Sequence, residues 1–481
     1  MAKRKTSTFE RLQQKGLSRK ELQRRLYSAD PGLTIVHPNA AGIDIGKQSH
    51  YVAVPGDRDR QPVREFGAWT AALEAMAQWL QACGIDTVVM QSTGVYWMAA
   101  YQVLQQRGLD VQLVDARGTK NLPGRKSDVQ ECQWLMKLHT YGLLRRCFLP
   151  PERIRRIRTV WRMRGQHVAD AGRAVQHMQG ALLQMNLQLP NALSDLSGVS
   201  GQAIIRAILD GERDPEKLAE LRDGRVKASR EEIVHSLQGD WKEDLIFELR
   251  QAVAAYDFFQ QQIAQCDQQL QAYLAALPSG EQKASGSSAG LASAAEKTGK
   301  GRSAKRQRKP KGNQPAFDLE AELQRILGVN AKSIDGLDVM TIQTVVAEVG
   351  PDLSAWKSEA HWSSWLNLAP KRDVSGGKVI RHTREHRTNR VGNAFRLAAQ
   401  ALFRSESYLG AKFRYLRAKL GAGKAVKAMA RTLACLYYRL VTKGQAWLDR
   451  GTEAFEQQKQ DRELASLQRK ARSFGLQVVP V

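Results

Sequence analysis

The sequence predicts an α/β domain followed by a helical middle and a mostly helical C-terminal domain. Short β-rich apolar runs alternate with amphipathic segments between about residues 39 and 149, and helical periodicity then fills 150–278. Residues 279–316 collapse into Ser, Gly, Ala and Lys before periodicity resumes at 317. A chain of 481 residues is too long for one ordinary core, and its 42% hydrophobic content can fill more than one.

In the first domain, "AGIDIGKQSHYVAVPG" and "PVREFGAW" read as strands and "TAALEAMAQWLQACG" as an amphipathic helix. "DTVVMQST" is a strand, "GVYWMAAYQVLQQRG" a helix, "DVQLVDA" a strand and "KSDVQECQWLMKLHTYGLL" a helix. Three strands followed by alternating helices and strands give the order of ribonuclease H-like folds. The middle region opens with six arginines, Arg153, Arg155, Arg156, Arg158, Arg162 and Arg164, crowded on about three turns. Beside a single glutamate they point to phosphate contacts, with a solvated helix face as the plainer alternative. Its last part carries a seam at alternating spacings of four and three: Leu249, Val253, Tyr256, Gln260, Ile263, Asp267, Leu270, Leu274 and Leu277. That spacing predicts a coiled coil, within the chain or between protomers, and hence a homo-oligomer, dimer or tetramer.

The linker 279–316 cannot bury enough apolar surface to fold alone. Its "KTGKGRSAKRQRKPK" reads either as a spacer or as an arm that orders on nucleic acid. The C-terminal domain, 317–450, is expected to place a turn between two helices at Gly336-Leu337, with backbone amides open to a phosphate. A polar loop, "APKRDVSGGKVIRHTREHRTNRVGN", and further helices follow. The basic extension 1–38 and the polar tail 451–481 show no clear core.

Lys plus Arg outnumber Asp plus Glu by 73 to 48, for a formal charge of +25, so DNA or RNA is the first candidate partner. No apolar run is long enough to span a bilayer, and a cytoplasmic, nucleoid-associated protein without a membrane partner is expected. The five cysteines are scattered without metal spacing, which fits reduced thiols.

Asp44, in "GIDIGK", sits on a strand flanked by glycines. Asp128 and Glu131 are i and i+3 on one helix face. Each feature alone is more often structural or solvated. Together they offer hard oxygen donors for Mg2+ or Mn2+, the chemistry that stabilises attacking and leaving oxygens in phosphodiester cleavage.

"GIDIGK", "STGVYW", "GRKSDVQECQWL" and "LAPKRDVSGGKVIRHT" together resemble the transposases of bacterial insertion sequences of the one-ten family, especially its eleven-eleven branch. The resemblance covers about 40–180 and 320–445. It implies a RuvC-like domain with an Asp, Glu, Asp, Asp metal quartet, a catalytic serine in the C-terminal domain, and a bridge-type guide RNA that selects DNA at the element ends and target. Asp44 takes the first place and Asp128 the third. Glu131 falls where the family usually has aspartate, and Gln91 where it has glutamate. The amide keeps the shape of a carboxylate without its charge. An introduced substitution, a natural variant and a decayed copy all remain open.

Ser375 matches the serine nucleophile, expected to attack a DNA phosphate and form a covalent intermediate. Lys371, Arg372, Lys378 and Arg381 surround it in sequence and could neutralise that phosphate; His382 and His386 are close in the chain. A Holliday-junction-type structure-specific endonuclease, and a catalytically lapsed nucleic-acid scaffold, are the alternative functions. Tyr96 and Trp97 could stack on bases, while Trp356, Trp362 and Trp365 read as core.

Overall fold

The computed structural model describes residues 34–91, 94–115, 127–280, 313–376, 378–383, 389–444, 464–465, 467–469 and 471–477. Most of the basic extension, the linker arm, His386 and most of the tail lie outside the described residues. The chain divides into two compact units, residues 1–149 and 150–481.

The first unit is built on a five-stranded sheet in the order β3-β2-β1-β4-β5. Strands β1 (Ala40–Ile45), β2 (Ser49–Ala53) and β3 (Val63–Gly67) form an antiparallel meander. After helix α1 (Thr70–Ala82), β4 (Thr87–Gln91) returns parallel to β1; after α2 (Trp97–Gln106), β5 (Asp110–Val114) lies parallel to β4. Every residue of β4 is buried, as expected of a strand covered on both faces. On one face Ile43, Val52, Val88 and Met90 pack with Leu73, Met76 and Leu80 of α1 and Leu104 of α2. On the other, Val89 and Val114 meet Leu135 of α3 (Asp128–Thr140), which crosses β1, β2 and β4. Gly42 permits this crossing: an added Cβ would lie 2.3 Å from the Cys132 carbonyl oxygen and 2.3 Å from the Met136 nitrogen.

In the second unit, α4 (Glu152–Gln184) is followed by short helices α5 (Leu189–Ala192), α6 (Val199–Leu209), α7 (Pro215–Glu220) and α8 (Arg230–Ser236), and then by α9 (Glu243–Ala275). Helices α4 and α9 run antiparallel: Arg164 pairs with Asp267, while Met178, Ala181 and Leu182 share a core with Leu249, Ala252 and Val253. Along the seam Leu249, Val253, Leu270, Leu274 and Leu277 are buried and Gln260 is exposed. The other polar position, Asp267, is explained by its buried ion pair with Arg164, 3% exposed, which also donates to the Asn313 carbonyl. Removing either partner would strand a buried charge, a loss of about 3–5 kcal/mol.

The rest of this unit consists of α10 (Leu319–Leu327), α11 (Val339–Val349), α12 (Glu359–Trp365), strands β6 (Lys371–Ser375) and β7 (Lys378–Thr383), and helices α13 (Arg390–Ala401), α14 (Tyr408–Leu420) and α15 (Ala422–Lys443). Trp356, Trp362 and Trp365 pack ring against ring, and buried Trp362 donates its indole N–H to the Ala434 carbonyl at 3.0 Å. One expectation is corrected. The stretch read as a polar loop contains an antiparallel hairpin, β6 with β7. At the start of α11 the Asp338 carboxylate accepts the Thr341 N–H at 2.8 Å, so one of the amides expected to face a phosphate is capped.

Candidate active site on the sheet and the serine hairpin

Asp44 and Gln91 each follow the last pair of the ladder between parallel strands β1 and β4, Ile43 opposite Met90. Because Ile43 and Met90 enter the core beneath α1 and α2, the next residue on each strand turns to the face covered by α3. Asp44 is half-buried and Gln91 is 3% exposed. The first turn of α3 begins over that face, where Ser127 caps the helix and Asp128 and Glu131 meet the positive end of its dipole.

Here the sheet and α3 are joined by a hydrogen bond. Gln91 Nε2 donates to Glu131 Oε1 at 2.6 Å. A carboxylate at 91 would place two anions at that distance, which requires a cation or a proton between them. The amide instead satisfies Glu131 directly, a charge-assisted contact of about 1.5–3 kcal/mol. Asp44 and Asp128 both lie near Cys132, whose thiol is pushed up to about 12, mainly by burial and further by those two carboxylates.

Three carboxylates and one amide oxygen have the donor chemistry of a divalent-cation site. As they stand they do not close around one: among the described residues no group of three or more His, Cys, Asp or Glu could hold a metal ion. Glu131 keeps a second carboxylate oxygen beyond the one that accepts from Gln91.

Two neighbours escaped sequence reading. Tyr51 lies opposite both Asp44 on β1 and Glu65 on β3. Its phenol is held above its usual range by a hydrogen bond with Glu65, by burial and by the charges of Glu65 and Asp128. Glu65 is correspondingly lowered by bonds from Ser49 and Tyr51. Strict alternation along β2 and β3 was the available signal, but it needed the strand register to be read.

The remaining candidates lie in the second unit. Ser375 ends β6, opposite Lys378 at the start of β7, with Gly376 at φ +55° in the turn between them. Lys371 and Arg372 lie on β6 and Arg381 on β7. The arginines of α4 divide into two sets. Arg158 and Arg162 both pair with the buried carboxylate of Glu348 on α11, Arg162 through two bonds of 2.8 and 2.6 Å, and Arg164 is committed to Asp267. Burial lowers the Arg158 guanidinium to about 10, partly offset by Glu348. Arg153 and Arg156 are exposed, Arg156 with Glu152 as a partner, and Arg155 is half-buried. Tyr96 is 43% exposed, while Trp97 packs against the core and bonds to the Gly94 carbonyl.

Residues 41–187 match a family model described as Transposase, of the DEDD, IS110 kind. Residues 329–414 match the Transposase IS116/IS110/IS902 family. Two stretches of this chain are similar to IS110-type transposases. The first match spans the sheet and α3; the second spans the hairpin that carries Ser375. Together they support a DNA transposase/recombinase activity, and DNA is the partner such an activity implies. Transposases of the DEDD kind depend in general on divalent metal. A comparison with curated proteins found no match. Among the described residues no helix is long and apolar enough to cross a membrane.

Proposed function

We propose that the protein is an RNA-guided DNA recombinase that excises and inserts an insertion sequence, with Asp44, Asp128, Glu131 and the position of Gln91 forming a RuvC-like site for Mg2+ or Mn2+. The observation that carries this reading is the Gln91–Glu131 bond, which links the end of β4 to the first turn of α3 inside the DEDD-matched region. A divalent ion bound there would stabilise charge on the attacking and leaving oxygens. The protein's own contribution is to hold the carboxylates on a strand end and a helix start, both rigid elements.

Ser375 Oγ attacks a DNA phosphorus. Its proton leaves as the new P–O bond forms, and the departing strand carries away the old bridging oxygen as a hydroxyl. Lys371, Arg372, Lys378 and Arg381 offset the phosphate charge, and Arg153, Arg155 and Arg156 contact the backbone. Arg158, Arg162 and Arg164 contribute chiefly by holding α4 in place. The serine hairpin of one protomer completes the metal site of another in a dimer or tetramer. Base pairing to a guide RNA selects the DNA.

Specific support also exists for a lapsed scaffold, since the Gln91 amide satisfies Glu131 without an ion. One experiment separates the two. Covalent protein–DNA adduct is measured on element-end DNA with copurified RNA and magnesium, for the chain as it stands, Gln91→Glu, and Gln91→Glu with Ser375→Ala. An adduct gained with glutamate and lost with alanine supports the recombinase. No adduct in any of them, despite bound RNA, supports the scaffold.

A further inference from the structure

The hairpin carries two apolar side chains to which the proposed chemistry gives no role. Val379 is 45% exposed and Ile380 68% exposed. Neighbours on a regular strand point to opposite faces, so one of the two would ordinarily be covered by the body of the protein. The register departs from the regular pattern here. Ser375 pairs with Lys378 and Val374 with Val379, but the next pair is Asp373 with Arg381, which leaves Ile380 as an extra residue without a partner across the ladder. Such a bulge bends its strand and re-aims the side chain it carries.

The sequence flanking this apolar pair has the composition of a polyanion-binding segment. Residues 371–390 contain seven Lys or Arg, namely Lys371, Arg372, Lys378, Arg381, Arg384, Arg387 and Arg390, against Asp373 and Glu385. The DNA major groove admits a two-stranded ribbon, and in minor-groove binders apolar side chains set among basic ones are the wedges that part stacked bases. Ile380 is two residues beyond Lys378, the partner of Ser375. That is about 7 Å along a strand, or about two base-pair rises.

Building on the proposed function, we propose that Val379 and Ile380 form a wedge that enters a duplex groove and unstacks a base step within about two base pairs of the phosphate attacked by Ser375. Pyrimidine–purine steps, the easiest to unstack, are the preferred targets. Charge complementarity selects DNA over a protein partner for this face.

The test uses the full chain with its copurified RNA and element-end duplexes carrying 2-aminopurine at successive pyrimidine–purine steps. Binding should raise fluorescence at one step by at least about twofold, as unstacking relieves quenching. Val379→Thr with Ile380→Ser should abolish that rise while weakening binding less than about tenfold, because the phosphate contacts remain. A mismatch placed at the same step should restore the lost affinity. DNA bound without any rise, or a rise indifferent to the substitutions, overturns the wedge and leaves the recombinase intact. Substitutions that change only the oligomeric state overturn it in favour of a protein contact. If the unsubstituted chain binds no DNA, the proposed function itself fails, and the wedge with it.

Discussion

On the sheet, Gln91 is 3% exposed and its amide bonds to Glu131, whereas on the hairpin Ile380 is 68% exposed and has no partner across the ladder. The sheet site is assembled by packing: Gly42 lets α3 settle on β1, and the buried Gln91 amide finds its partner on that helix. The hairpin is assembled by its own two strands and a glycine turn. Substitutions should therefore act on stability in the first region and on substrate handling in the second.

The sharpest contrast comes from Gly42→Val, which drives a side chain into the backbone of α3. A loss of at least about 3 kcal/mol is expected in thermal or denaturant unfolding. Unchanged stability would mean that α3 does not rest on β1.

A pH titration addresses the opposite end of the same sheet. His139 is buried, its Nε2 lies 2.9 Å from the Thr87 hydroxyl, and its ring stacks on His37. Burial, aided by the charge of His37 and opposed by Asp110 and Asp86, pushes the imidazole down to about 4 from 6.5. The folded state thus binds the proton less well than the unfolded one. The stabilisation is complete above about pH 6.5 and is lost as pH falls toward 4, by about 2–3 kcal/mol. His139→Asn should flatten that part of the stability–pH curve relative to the unsubstituted chain.

Gln91→Glu should cost about 1–2 kcal/mol in chelator, because two carboxylates then share the contact with Glu131. Added magnesium or manganese should recover it, with calorimetric binding tighter than in the unsubstituted chain. Equal metal affinity in both proteins would remove residue 91 from the site. Smallest of all, Ile380→Ser should alter unfolding by no more than about 0.5 kcal/mol, since its side chain is already in water. A large loss there would show that the hairpin is packed, and the contrast between the regions would fall.

Much of the sheet was legible because its signals are local. "GIDIGK" and "DTVVMQ" show apolar strands ending in polar residues, and Asp128 and Glu131 are i and i+3 on an amphipathic helix. The direct bond between Gln91 and Glu131 was not legible, since it joins residues 40 apart through the way α3 lies on the sheet. Distance along the chain hid the partners of Arg162 and Arg164 more completely, at separations of 186 and 103 residues. A run of arginines in sequence cannot say which members face an acid from another helix. The hairpin was missed because paired glycines and dense basic residues resemble a loop; the cue lay in Val374, Val379 and Ile380 flanking that turn.

Helix α4 has a consequence for how force travels through the second unit. Its 33 residues make a rod about 50 Å long. Near its start it is gripped by Glu348 of α11, and near its end it is embedded beside Leu249 and Val253 of α9, with Arg164 fixing its register in between. No break in the helix separates these grips, so a displacement of α11 along the rod's axis cannot be absorbed at a joint. Slippage by one turn would move the rod about 5.4 Å past α9 and unseat a buried ion pair. The rod behaves as a keyed shaft: motion imposed at one end arrives at the other as motion of the same size, or the key shears.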